Sequence, residues 1–161
     1  MQRVARAHVT VGEKVVGEIG RGLLVLLGAT HADDAAAADW LSRKITDLRV
    51  FPDDSGHMNR SLREVGGAVL VVPQFTLYGD ARRGRRPDFV QAARPEHAAP
   101  LFDRFCTGIV AAGVTVKRGV FGAQMAVELV NDGPVTLIVE SPAPSSDSSV
   151  LRRGSAAKEP T

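Results

Sequence analysis

Hydrophobic and polar positions along this chain change period several times, and each change predicts an element. Residues 2–11 alternate apolar with polar side chains, the period of a strand with one buried face. Gly12, Glu13 and Lys14 supply turn chemistry, and residues 15–19 follow as a second strand, so a β-hairpin is predicted. After Gly20-Arg21-Gly22 comes the uninterrupted aliphatic run 23–27, the composition of a strand covered on both faces. The period then lengthens. Ala37, Trp40, Leu41, Ile45 and Leu48 share one face of a helix that Asp33 or Asp34 caps and that runs to about Asp47.

The second half is read the same way. Residues 48–51 predict a short strand ended by Pro52, followed by turn chemistry at 53–56. Residues 58–64 match neither period. Gly66-Gly67 introduces a strand over 68–72, and Arg82, Arg83, Arg85 and Arg86 then crowd into a loop. A helical stretch is expected from Pro87-Asp88 to a break at Pro95, and a better helix from Glu96 to about Ala112, closed by Gly113. Strands are predicted at 114–118 and 125–130, with Asn131-Asp132-Gly133-Pro134 interrupting and 135–140 resuming. Residues 142–161 mix Ser, Pro, Ala and Gly with isolated charges and no aromatic, the composition of a disordered tail. With about seven strands and two main helices that do not alternate regularly, the expected class is α+β. One domain is expected over residues 1–141.

Composition narrows the chemistry. A hydrophobic content of 44% with 24% charged residues is ordinary for a soluble globular chain. The net charge is only +2, so any nucleic-acid partner has to be held by a local patch, and the four arginines are the obvious one. The single cysteine, Cys106, excludes an internal disulfide framework, and in the middle of a helix it reads as a small core residue. The first residues carry no apolar signal region, and no apolar run is long enough for a membrane span, so a cytoplasmic protein is expected. His8, His31, His57 and His97 are scattered without ligand spacing, and nucleotide-binding glycine motifs are missing; neither a metal nor a cofactor is expected.

Two stretches hold candidate chemistry. Around Pro73-Gln74-Phe75-Thr76, a buried strand delivers hydrogen-bonding groups straight into the cationic loop. Taken alone, Arg82–Arg86 is either a solvated loop or a phosphate site, since guanidinium forks match phosphate oxygens. Residues 131–136 are either a plain turn or something less usual, because proline cannot donate to a strand ladder. An X-Pro bond there can be cis, and carbonyls turned outward would accept from an ammonium group.

Together these two stretches are far more specific. Val-Pro-Gln-Phe-Thr-Leu-Tyr at 72–78 and Asn-Asp-Gly-Pro-Val-Thr at 131–136 resemble the two signature motifs of the D-aminoacyl-tRNA deacylases. Asn59-Arg60-Ser61-Leu62, Arg85-Arg86-Pro87-x-Phe89 and Phe121-Gly122-Ala123-x-Met125 match as well, and the similarity runs in order through residues 1–141. The resemblance implies a compact β-barrel-like sheet with two main helices, acting as a homodimer on the 3′ end and acceptor stem of aminoacyl-tRNA. It implies hydrolysis of the ester that joins a D-amino acid, or glycine, to the terminal adenosine. Gly133 and Pro134, with Val135 and Thr136, would form a Gly-cisPro element that enters the partner's pocket, holds the amino group and collides with an L side chain. Gln74, Phe75 and Thr76 would line the reacting ester, with a backbone N–H near Phe75 or Thr76 as oxyanion donor and the RNA's 2′-hydroxyl assisting. No histidine or lysine stands beside Thr76 in sequence, so a positioning role is expected for it. Phe121 and Met125 would wall the adenosine, and Arg82, Arg83, Arg85 and Arg86 would hold acceptor-strand phosphates.

One position departs from the pattern. The first motif usually opens with serine, and this chain has Pro73, which lacks both hydroxyl and N–H. A related animal deacylase with proline there acts on mischarged L-alanyl-tRNA, but it differs around its Gly-Pro motif, whereas residues 131–136 keep the D-specific form. Rejection of L substrates is therefore expected to persist. A tRNA-end binding module without turnover is the alternative that Pro73 raises.

Overall fold

In a computed structural model of the chain, residues 1–142 are described. The long first strand β1 (Gln2–Val11) is shared among three neighbours. Its Gln2–Val4 segment pairs antiparallel with β3 (Gly22–Leu27), and its Ala7–Val11 segment with β2 (Lys14–Ile19). Along its other edge runs β8 (Ala126–Thr136). From β3 the sheet continues in parallel to β6 (Ala68–Pro73) and β7 (Thr115–Arg118). The far edge then curls back toward β2. A Cβ on Gly17 of β2 would lie 3.0 Å from Arg118 O of β7, so the sheet is nearly closed, the barrel-like form expected.

The aliphatic runs of β3 and β6 follow from this geometry. Successive side chains of a strand point to opposite faces. Leu23, Val25, Val69 and Val71 face a layer of two helices, where they meet Phe105 and Ile109. Leu24, Leu70 and Val72 face the barrel interior with Val4, Val9 and Ile19. Both faces are buried, so neither strand shows alternation. The helices are α1 (Ala35–Asp47), capped by the Asp34 carboxylate on Ala37 N–H (2.9 Å), and α2 (Pro95–Ala111). Bidentate bonds from Arg104 to Asp39, each 2.7 Å, tie one helix to the other.

Three expectations are corrected. Residues 48–50 are not strand: Leu48 caps α1 by donating to Lys44 O (3.0 Å), and Val50 O is taken by the Arg3 guanidinium (2.5 Å). Pairing starts only at β4 (Phe51–Pro52), opposite β5 (Met58–Arg60), which resolves the segment that had no clear period. The stretch before Pro95 is not helical, because its backbone is used over long range. Ala93 N–H donates to Ala29 O (2.9 Å), and the Thr30 hydroxyl and His31 Nε2 contact Gln91 O and Val90 O. Pro95 therefore begins α2 instead of breaking an earlier helix, as suits a residue without an N–H.

The third correction concerns residues 131–140. The pairing is interrupted near 131–134, but the strand is not: β8 runs through to Thr136, and 137–140 do not resume one. Between the pairs Val4↔Asn131 and Gln2↔Thr136, residues 132–135 bulge opposite Arg3, and the Gly133-Pro134 peptide bond is cis. The expected tail lies, apart from Pro142, outside the described residues. No helix among the described residues is long and apolar enough to cross a membrane.

Phe105 is 1% exposed and joins α2 to the sheet. Phe105→Ala is expected to lower the unfolding free energy by about 3–5 kcal/mol through lost burial and the cavity left behind, measured as a shifted urea midpoint.

Candidate functional site

The parallel pair β3–β6 does not stop at the strand ends. Gln74 N–H donates to Leu27 O (2.8 Å), so the chain leaves β6 still in register with β3. It then tightens into a 3₁₀ turn over Phe75–Tyr78, closed by Leu77 N–H on Gln74 O (3.3 Å) and Gly79 N–H on Thr76 O (3.0 Å). The amides of Phe75 and Thr76 precede the first of these bonds and have no partner within the turn. The turn lies directly over the end of β3. A Cβ on Gly28 would stand 3.0 Å from Gln74 O and 3.3 Å from both Leu77 Cβ and Tyr78 Cδ2, so only glycine admits this approach.

A cleft of about 910 Å³ opens beside the turn. Its walls include Gln74, Phe75, Tyr78, Phe121, Met125 and Thr136. Phe121 is held edge-on to Phe102 with ring centroids 6.2 Å apart, and Met125 Sδ accepts from Val120 N–H at 3.3 Å. The structure thus brings five of the residues singled out from sequence into one space, from both halves of the chain. Thr76 is exposed and is not among the walls; Gln74 Nε2 donates to its hydroxyl. An amide is no base, so this contact orients the hydroxyl without activating it as a nucleophile.

Gly133 and Pro134 do not line the cleft of their own chain. They lie exposed on the β8 bulge, while Val135 is half-buried against the helix-side core. The bulge is pinned by a residue that sequence reading passed over. Arg3, only 8% exposed, donates from Nε to Asp132 O (3.0 Å), pairs with the Asp132 carboxylate at 3.2 Å, and reaches Val50 O with its other arm. Asn131 Nδ2 returns a bond to Arg3 O (3.1 Å). An arginine in phase with the apolar positions Ala7, Val9 and Val11 of an alternating strand is the signal that was available.

The four arginines prove unequal. Arg82 is committed to Asp80, to which it donates from its backbone N–H and, through Nε and the terminal nitrogen, from its guanidinium. This bond holds the Asp80 carboxyl below its usual pKa. Arg83, Arg85 and Arg86 are exposed and form no ion pair among the described residues. Reciprocal backbone bonds between Asp80 and Asp88, 2.8 and 3.0 Å, close the segment into a tip that presents those three charges. Tyr78 is the other residue missed. It is half-buried in the cleft wall, where burial raises its hydroxyl pKa and the Asp33 and Glu140 carboxylates add to the rise. The Cys106 thiol is likewise pushed up by burial, as befits an inert core residue. Among the described residues, no group of His, Cys, Asp and Glu is arranged to hold a metal ion.

Residues 1–140 match the family described as D-Tyr-tRNA(Tyr) deacylase. The chain belongs to that family. A D-aminoacyl-tRNA deacylase of Symbiobacterium thermophilum is 60% identical over 141 residues, which are 88% of this chain and 93% of the relative. One of Thermus aquaticus is 58% identical over 141 residues, again 88% and 93%. A solved structure described as "c-Myc DNA Unwinding Element Binding Protein" is 42% identical and superposes with a TM-score of 0.82, covering 88% of this chain and 97% of that one. The two motifs quoted from sequence therefore belong to a D-Tyr-tRNA(Tyr) deacylase family member whose barrel-like fold is shared with solved structures.

Arg3→Leu keeps much of the apolar volume but leaves Val50 O and Asp132 O without their donor. A loss of about 2–4 kcal/mol is expected in urea unfolding, from unsatisfied carbonyls in a partly buried bulge.

Proposed function

We propose that this chain is a D-aminoacyl-tRNA deacylase that works as a homodimer, hydrolysing the ester between a D-amino acid, or glycine, and the terminal adenosine of tRNA. The observation that carries the reading is a single cleft walled by Gln74, Phe75, Phe121 and Met125, with a three-arginine tip leaving the same turn, in a member of this family. Phe121 and Met125 wall the adenosine, whose stacking on an aromatic ring is indifferent to RNA sequence. Arg83, Arg85 and Arg86 take acceptor-strand phosphates, and Arg82 shapes the tip through Asp80. Water adds to the ester carbonyl, the amides of Phe75 or Thr76 meet the oxyanion, and the bond to the ribose 3′ oxygen breaks. An oxyanion donor of this type supports a rate by about 3 kcal/mol. With no histidine or lysine hydrogen-bonded to Thr76, the adenosine's own 2′-hydroxyl orients the water.

Chirality is set across the dimer. Gly133 and Pro134 stand exposed on β8, near exposed apolar side chains that include Ile138, 92% exposed at the rim of the cleft. Burying these side chains against a second copy carries the Gly-Pro carbonyls into the partner's cleft, where they hold the substrate ammonium and leave no room for an L side chain. Val135 anchors the element on its own core, and Thr136 remains in the wall of its own cleft. Pro73 lines the same cleft, but the exclusion rests on residues 131–136, which keep the D-specific form, so rejection of L substrates persists.

Gly28→Val pushes the reacting turn off β3, and Gly133→Val places a side chain against Val135 N and Arg3 at a φ of +144°. Each variant alone is expected to be inactive on D-tyrosyl-tRNA. Co-expressed, half of the dimers carry one variant of each kind and hold one intact composite site, so about a quarter of wild-type activity returns. No recovery would mean the site is completed within one subunit. In the same assay L-tyrosyl-tRNA is expected to survive while the D form disappears. Wild-type protein that binds D-tyrosyl-tRNA without hydrolysing it would favour the binding module.

The tip is tested separately with uncharged tRNA. Replacing Arg83, Arg85 and Arg86 together by alanine is expected to flatten the plot of log Kd against log salt by about 2–3, whereas Arg82→Ala changes it by less than about 1.

A further inference from the structure

The arginine tip and the reacting turn touch through one aromatic pair, of which Phe89 has no role assigned above. Phe89 follows directly after Asp88, the residue whose backbone closes the tip onto Asp80. Its ring stands edge-on to Phe75, with centroids 5.1 Å apart and planes at 70°. The same ring also crosses the exit of the turn. A Cβ on Gly79 would lie 2.9 Å from Phe89 Cε1 and 3.0 Å from Thr76 O, so Gly79 is the residue that lets ring and turn meet. Phe89 is 36% exposed and Phe75 57%, so the pair contributes little core burial. The chain after Phe89 turns through Ala92 N–H on Phe89 O (3.0 Å) and is then held to the end of β3 by Ala93 N–H on Ala29 O (2.9 Å). The tip is thus hinged between two fixed points, and its one aromatic side chain rests on the turn whose amides face the ester.

We infer that Phe89 is a positioning residue that couples phosphate binding at the tip to the geometry of the Phe75–Tyr78 turn. This rests on the deacylase reading of the site and adds a linkage to it. Phosphates held by Arg83, Arg85 and Arg86 fix the tip, the tip fixes the Phe89 ring, and the ring holds Phe75 and the carbonyl side of the turn in place. Two sites coupled in this way affect each other reciprocally: an ordered turn strengthens the seating of the tip, and a seated tip orders the turn. The arrangement favours hydrolysis when an acceptor stem accompanies the adenosine, so a short aminoacyl ester lacking a stem gains nothing from it.

The experiment compares wild type, Phe89→Leu and Phe89→Tyr in two readouts. In the first, single-turnover hydrolysis of D-tyrosyl-tRNA is followed at saturating enzyme, alongside the affinity for uncharged tRNA and its salt slope. Phe89→Leu is expected to lower the saturating rate at least tenfold with affinity changed less than threefold, and Phe89→Tyr, which keeps the ring, to restore the rate. In the second, amide hydrogen exchange at Leu77 and Gly79 is measured with and without an uncharged acceptor-stem hairpin. The hairpin is expected to slow exchange at both amides in wild type and Phe89→Tyr but not in Phe89→Leu. A loss of affinity with an unchanged saturating rate would make Phe89 part of the docking surface and overturn the inference, as would identical exchange behaviour in all three proteins. The second readout needs no hydrolysis, so a wild type inactive on D-tyrosyl-tRNA would sink the deacylase reading while the coupling is still decided by exchange. Circular dichroism and thermal midpoints establish that the variants are folded; should Phe89→Leu fail this control, Phe89→Met carries the same comparison.

Discussion

The parallel pairing of β3 with β6 is the constraint on which the rest of the molecule depends. Both strands are covered on two faces, so a one-residue slip would turn Leu23, Val25, Val69 and Val71 from the helix layer into the barrel and exchange two well-filled cores. That register is therefore strongly fixed. It is also extended past the strand end by Gln74 N–H on Leu27 O, so the Phe75–Tyr78 turn inherits its position from the β3–β6 pair. Sites supported on such elements hold their geometry better than sites carried by free loops.

Around this fixed turn the fold gathers groups by different means. Phe121 and Met125 arrive from the loop after β7, held by packing on Phe102 and by a sulfur contact to Val120 N–H. The arginine tip arrives through a long irregular segment whose carbonyls and amides are satisfied one by one from the end of β3. Gly133 and Pro134 are displayed on the β8 bulge by a buried arginine that answers two carbonyls at once. Rigid strand register, aromatic packing and long-range backbone bonds thus each set one part of the site.

The charge pattern carries a related lesson. Four arginines in five positions suggest equivalent phosphate ligands, yet Asp80 sits two residues before the first and removes it from the pool. A short-range carboxylate holds Arg82 in a bidentate geometry that a mobile phosphate has to outcompete. The remaining three are presented without such competition among the described residues. Net charge says little here; local pairing decides which guanidinium groups are available.

Much of this was legible without coordinates. Local periodicity and capping chemistry determined β1, β2, β3, β6 and both helices, and narrowed the cap of α1 to Asp33 or Asp34, because these depend on neighbours within a few residues. The two motifs marked Gln74–Thr76 and Gly133-Pro134 through their resemblance to a known family, and the proline was unusual in a strand in its own right. What the chain alone did not determine was every feature whose partner is distant in sequence. Residues 48–50 lost their strand to the cap of α1 and to Arg3, and residues 87–94 lost their helix to bonds with Ala29, Thr30 and His31. Asn131–Pro134 kept its strand because Arg3, more than a hundred residues away, satisfies a bulge that would otherwise end it. Local propensity is set by the chain's own steric preferences. Which of those preferences survives is decided by where the backbone's donors and acceptors find partners once the sheet has closed.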